Sequence, residues 1–401
     1  MAGSSAEPPP AAGGAAVFGA AARPLWLLNP DITYLNHGSF GATPRVVLDA
    51  QAEWRRRMEF EPVRFMTQIR DGLLRQAATT LAAFLGASGD DLVFVDNATT
   101  GINTILQSLA LESGDEVVTT SHVYPAVRLT LEEVCGRRRA RLIEAAVPFP
   151  ARDEDCILEA IDAAITPHTR LAVIDHVTSP TALVFPIKRI AELCAARRVR
   201  LLVDGAHAPG MLSLDIPEIG ADWYVGNCHK WLCAPKGCGF LWARREAQAT
   251  LRPLVISHGY RSGFAAAFDW TGTRDPTPFL ALEAAIDFRR GFGETALRTY
   301  VANLAATAAE HLAAAWQSDI GAGPALRGAM VTVRLPDAGF QADLASAERL
   351  HDRLFDEWRI EVPVLPFAGS LWVRISAFAY NELGDYVRLA AALALGIGRA
   401  A

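Results

Sequence analysis

Between residues 90 and 245, short β-branched runs alternate with stretches of helical periodicity. The pattern predicts strands at 91–96, 116–120, 141–147, 171–177, 200–204, 223–227 and 239–244. Several of these runs, LAVID and RLLVD among them, are apolar almost throughout. That is how strands look when helices cover both faces of their sheet. Helices are expected between them at 101–111, 126–138, 154–165 and 187–197. The alternation predicts an α/β lobe around a mostly parallel, seven-stranded sheet.

After residue 285 the pattern changes. A long Ala-rich helix is expected over 294–316, then strands at 330–335, 360–364 and 371–375 with helices at 342–357 and 381–395. This reads as a smaller α+β domain, and 401 residues are enough for two lobes. The early stretch TYLNHGSFGATP is punctuated by glycine and is expected to join the small lobe or to border the cleft between lobes. The residues before it are rich in Ala, Pro and Gly without a core pattern, which predicts a disordered tail and no secretory signal. The expected organisation is therefore a tail at 1–23, a cleft-bordering segment at 24–45, a large domain at 46–285 and a small C-terminal domain at 286–401.

A net charge of −6 argues against a general nucleic-acid surface, because phosphate binding needs clustered cations. The Arg triplets at 55–57 and 137–139 read as solvated helix faces. No apolar run approaches the ~20 residues of a membrane helix, so the expected location is cytoplasmic. Six cysteines occur, and Cys228, Cys233 and Cys238 are spaced C-x4-C-x4-C. Zinc sites favour closer pairs, so free thiols in a reducing compartment and no metal are expected.

The chain holds no G-x-G-x-x-G, P-loop, H-E-x-x-H or G-x-S-x-G motif. The informative stretch is LLVDGAHAPG followed by GADWYVGNCHKWLCAPKGCGF. Asp204 ends an apolar strand, where ligands of open α/β sheets bind. Lys230 follows another strand inside an apolar run, a poor place for simple solvation. Pyridoxal 5'-phosphate requires a Lys for a Schiff base and an acid on its pyridine nitrogen. Singly, Asp204 reads as a helix cap and Lys230 as a snorkelling side chain; as an ordered pair they point to that cofactor.

These segments resemble the class V aminotransferase family of fold-type I pyridoxal phosphate enzymes, in its isopenicillin N epimerase-like branch. The likeness extends to ergothioneine-pathway C–S lyases and to cysteine desulfurases. It is carried by YLNHGSFG, DNATTGIN, TTSHVYPA, DHVTSPTA, DGAHAPG, GNCHKW, DWTGTRD and VRISAFAYN, in that order from Tyr34 to Asn381. The resemblance implies Lys230 as Schiff-base lysine and general base, with Asp204 at the ring nitrogen. It places Thr99, Thr100, Asn227 and His229 at the phosphate, where a helix start supplies free N–H groups. The plain alternative there is a helix cap by Asn97 or Thr99.

Tyr124 is expected to stack on the ring, with His122 as runner-up. Ser179, or the neighbouring Thr178, stands where relatives carry an Asn at the phenolic oxygen. His207 is expected near the same atom, with a core histidine as its rival. Thr273 matches a residue that reaches the neighbouring subunit's phosphate, implying a homodimer with shared sites. Arg374 is expected to bind the substrate α-carboxylate as a bidentate fork. Asn36 and His37 are expected to line the same end, and His37 and Tyr124 are candidate proton donors opposite Lys230. The expected activity is epimerisation at Cα of an amino acid, with C–S β-elimination and transamination as alternatives. A non-catalytic binding protein on the same fold is the reading from another class. A cysteine desulfurase is not expected, since no thiol follows Cys238.

Overall fold

The computed structural model describes residues 17–336 and 341–397. Its strands are β1 (Thr33–Tyr34), β2 (Leu92–Val95), β3 (Glu116–Thr120), β4 (Arg141–Ala145), β5 (Thr169–Asp175), β6 (Arg200–Gly205), β7 (Trp223–Asn227), β8 (Gly239–Ala243), β9 (Met330–Arg334), β10 (Ile360–Glu361), β11 (Val364–Phe367) and β12 (Ser370–Ser376). Seven form the main sheet in the order β2-β8-β7-β6-β5-β3-β4. From β7 to β4 every pair is parallel, while β8 runs against both β7 and β2.

Connections explain that pattern. Parallel neighbours need a crossover, and helices Pro125–Arg138, Glu154–Ala164 and Ile187–Ala196 carry the chain from β3 through β4 and β5 to β6. Between β7 and β8 there is no helix, only the loop 228–238, so β8 returns antiparallel. That loop carries Lys230.

The near-continuous apolar strands divide residue by residue between two faces. Val93, Val117, Val173, Leu202, Val225 and Leu241 enter one core with helices Ala98–Ser108 and Pro125–Arg138. Phe94, Val118, Ile174, Val203, Tyr224 and Phe240 enter the other, which runs on into the second sheet and its helices. This second sheet is antiparallel, ordered β11-β12-β9, and is accompanied by Glu294–Trp316, Leu344–Trp358 and Leu383–Ile397. Strands β1 and β10 pair in parallel, so the early Gly-rich segment is joined to the C-terminal part of the chain. Among the described residues no helix is long and apolar enough to cross a membrane.

Three expectations change. Residues 1–16 of the expected tail lie outside the described residues, but from Phe18 onward the chain is packed. Phe18 stacks on Tyr300 at 4.3 Å, Gly19–Leu25 form a 3-10 helix, and Trp26 is buried against Phe288 and Tyr380. Two aromatics within an Ala/Pro/Gly composition supply that anchor. The strand expected at 360–364 splits into β10 and β11 on either side of Pro363, which has no N–H for a ladder. Residue 285, after which the small domain was expected to begin, lies inside helix Leu282–Phe292, and the next turn of the chain is at Gly293 (φ 77°).

Candidate active site

Parallel strands bring Asp175 (β5), Asp204 (β6) and Asn227 (β7) to their C-terminal ends. A cavity of about 340 Å³ opens at this edge, lined by those three with Thr99, Tyr124, Ser179, His207, His229 and Lys230. The sheet edge, not sequence proximity, gathers them.

Lys230 is the centre of this wall. Its Nζ lies 3.0 Å from Nε2 of His207. Trp231 Nε1 can only donate and points at His207 Nδ1, 3.4 Å away. Nδ1 is therefore the acceptor, Nε2 carries the proton, and the lysine receives it as a neutral amine. Burial, with Arg374 adding to it, pushes the Lys230 amine down to about 7. Burial and then Lys230 hold His207 well below its usual value, in keeping with a neutral ring. The loop that bears Lys230 rests on Gly41, whose φ of +69° suits glycine. A Cβ at Gly41 would stand 2.3 Å from the His229 carbonyl oxygen, so only glycine lets the two segments approach this closely.

At the start of helix Ala98–Ser108, Asn227 Oδ1 accepts the Ala98 N–H at 2.8 Å, and Asn97 Oδ1 accepts the Thr100 N–H at 2.9 Å. Thr99 faces the cavity, and its amide is left over from these two caps. Thr100 does not line the cavity; its hydroxyl too goes to Asn97 Oδ1, at 3.2 Å, so the phosphate role expected for it gives way to the cap. His229 lines the cavity while its Nδ1 meets the Cys238 carbonyl at 3.1 Å.

On β12, Arg374 is buried and has no carboxylate among the described residues within ion-pair distance. Its Nη1 donates to the Ser179 carbonyl at 2.5 Å and to Ser179 Oγ at 3.2 Å, its Nη2 donates to Ser39 Oγ at 2.9 Å, and its Nε has no partner. Burial lowers it to about 10. Ser39 and Ser179 line the cavity, so this uncompensated cation lies directly behind the cavity wall. A buried charge without a counter-ion is costly, and an anion arriving there would relieve that cost. Ser179 is thus occupied with Arg374.

Other expectations move. Asn36 and His37 do not line the cavity; Ser39 and Phe40 do. Asn36 donates to Glu361 Oε1 at 2.9 Å. His37 is fully buried, stacked 3.8 Å from Phe378 and held by Tyr380 Oη at 2.7 Å and the Lys230 carbonyl at 3.2 Å. It is a packing group beneath the lysine loop, which removes it as a proton donor. His122 is buried between Thr181 Oγ1 (2.7 Å) and the Val147 carbonyl (3.1 Å), and Tyr124 takes the cavity wall. Thr178 is spent on Thr181 Oγ1 (2.7 Å) and the Leu183 N–H (2.8 Å). Thr273 is exposed and outside its own chain's cavity, next to Arg274, which bonds cavity-lining Asp96 at 2.9 Å.

Asp175 was not among the expected site residues, though it closes LAVID as Asp204 closes RLLVD. Lys236 was likewise missed as a cavity residue; its Nζ is held by the Gly41 carbonyl at 3.0 Å and Thr43 Oγ1 at 3.3 Å.

The donor set suits pyridoxal phosphate: a buried amine whose charge is disfavoured, an acid one strand away, an open amide at a helix start and a guanidinium without a counter-ion among the described residues. Comparison with known proteins agrees. The sequence model described as Aminotransferase class-V matches residues 33–346. Isopenicillin N epimerase of Amycolatopsis lactamdurans is 36% identical over 395 residues, covering 93% of this chain and 97% of that protein. A probable chloroplastic L-cysteine desulfhydrase of Arabidopsis thaliana is 31% identical, covering 90% of this chain and 82% of that protein. An apo cysteine desulfurase structure from Thermococcus onnurineus NA1 superposes with a TM-score of 0.80 at 18% identity, over 95% of this chain and 98% of that one, which speaks for the fold. The chain belongs to the class-V aminotransferase family and is a pyridoxal 5'-phosphate-dependent enzyme of fold type I.

Proposed function

We propose that this enzyme takes the α-proton from an amino acid, or from a metabolite that presents one, and returns a proton to the other face of Cα. It is thus an epimerase of the isopenicillin N epimerase kind. The observation that carries the reading is Lys230: an amine lowered to about 7, bonded to a neutral histidine and facing a cavity. A base works best when its pKa lies near the working pH. The bound cofactor supplies the electron sink that acidifies Cα–H.

The positions support these residue roles. Lys230 holds the cofactor and moves the proton at Cα. Asp204 faces the ring nitrogen. Thr99, Asn227 and His229 hold the phosphate end, and His207 keeps the lysine amine in place. Arg374, with Ser39 and Ser179, receives the α-carboxylate. Tyr124 enters from the loop after β3, a different wall from the β7–β8 loop of Lys230, and its hydroxyl gives the proton on the second face. The chain works as a homodimer, with Thr273 of each copy completing the other's phosphate site; its exposure beside the cavity rim supports this.

C–S β-elimination is the second reading, supported by the desulfhydrase relative and by the withdrawal of His37, which leaves Tyr124 as the one expected second-face donor. Elimination needs Lys230 alone and a good leaving group. A sulfur-accepting desulfurase is disfavoured: the β11–β12 hairpin carries no cysteine, and Cys228, Cys233 and Cys238 are buried. A screen of amino acids in deuterated buffer tests the reading. Inverted, α-deuterated product supports epimerisation, and pyruvate with sulfide or a thiol replaces it with the lyase.

A further inference from the structure

Asp175 and Asp204 are register partners on adjacent parallel strands, so their side chains leave the same face of the sheet at the same level. Both are buried and both line the cavity. Neither has an ion pair within 4 Å among the described residues; Asp204 Oδ1 accepts the Ala206 N–H at 2.9 Å, and Asp175 is supported by its own N–H and that of Tyr124. We propose that Asp175 is the neutral half of an acid–carboxylate pair with Asp204. Asp175 keeps its proton at neutral pH, Asp204 carries the charge, and Asp175 acts as a positioning residue that leaves one anion to face the ring nitrogen. The second half of this proposal rests on the role given to Asp204 above.

The surroundings decide which carboxyl is neutral. Lys230 from the β7–β8 loop is the cation nearest the pair, and it is itself reluctant to charge; Arg374 acts on Lys230 and His207. Tyr224 from β7, its hydroxyl 2.9 Å from Nδ1 of buried His176, and His207 after β6 are held neutral by burial, while Asp96, Tyr124, His229 and Lys236 line the same cavity. Two ionised carboxylates here would repel each other with too little cation to offset them. Burial first and Asp204 second raise Asp175 well above the usual carboxylate value, against its own N–H, the Tyr124 N–H and Lys230; burial raises Asp204 too, with the Ala206 N–H and Lys230 opposing. With the charge kept on Asp204 to face the ring nitrogen and too little cation for a second anion, the proton is left to Asp175, its register partner, which as the acid is the one able to donate a hydrogen bond.

Infrared difference spectra of the full-length holoenzyme, labelled with 13C at the aspartate carboxyls, test this at mildly alkaline pH. A protonated-carboxyl stretch is expected in the wild type and in Asp204→Asn, and is expected to vanish in Asp175→Asn. No such band in the wild type overturns the proposal, as does a band that Asp175→Asn keeps and Asp204→Asn loses. The wild-type spectrum alone decides the first point should a variant fail to fold. With 15N in the cofactor ring, the wild-type resonance should shift further at high pH as Asp175 ionises, and Asp175→Asn should lack that step. An identical titration in both overturns the positioning role. An unchanged ring signal in Asp204→Asn overturns the Asp204 reading and with it that role, while the infrared band still reports on Asp175.

Discussion

Lys230 Nζ and His207 Nε2 meet at 3.0 Å, and the Trp231 indole on the far side of the ring makes the histidine the donor. The contact favours the neutral amine of Lys230, as burial does, and this has a consequence for stability. The ordinary value of 10.5 falls to about 7 in the fold, so folding favours the neutral amine. Stability from this group is complete above 10.5 and is lost as the pH falls toward 7. Cofactor-free Lys230→Met should therefore unfold at a higher temperature than the cofactor-free wild type near neutral pH, with the gap closing toward 10.5. Parallel stability profiles would show that the amine is not strained by burial.

Arg374→Gln should raise KM for the amino acid and leave cofactor binding intact. Each charged hydrogen bond to a carboxylate contributes about 1.5–3 kcal/mol. Because Arg374 also helps depress Lys230, the variant's lysine should titrate at higher pH than the wild type's. Steady-state kinetics check the first, and the pH dependence of acylation at Lys230 in the cofactor-free protein checks the second. Wild-type KM would place the carboxylate elsewhere.

Tyr124→Phe separates the two faces of Cα. Loss of the hydroxyl should stop inversion, while solvent deuterium still enters Cα with retained configuration through Lys230. Chiral chromatography with mass spectrometry measures the two together. Inversion at wild-type rate would remove Tyr124 as the second donor.

The fold was legible because burial on both sheet faces writes itself into strands such as LAVID and RLLVD, and β7 was placed to the residue. Asp204 and Lys230 were legible because each interrupts an apolar context at a strand end. Asp175 carries the same signal and was passed over, since what singles it out is register with Asp204, a property of strand pairing rather than spacing. His37 misled for the opposite reason. In its Gly-flanked segment it was expected to line the pocket, but Phe378 and Tyr380, more than 300 residues away, enclose it. Thr100 shows the limit of hydroxyls at helix starts: the spacing is the same whether the oxygen caps the helix or meets a phosphate.

The central claim is that Lys230 is the covalent anchor of the cofactor. Lys236 is the fair rival, because it lines the same cavity and its Nζ donates to the neutral Gly41 carbonyl and Thr43 Oγ1. Borohydride reduction of the holoenzyme, followed by digestion and peptide mass spectrometry, distinguishes the two directly. The reduced pyridoxyl group should appear on Lys230 and be absent from Lys236. An adduct on Lys236, or one that persists in Lys230→Ala, would contradict the account.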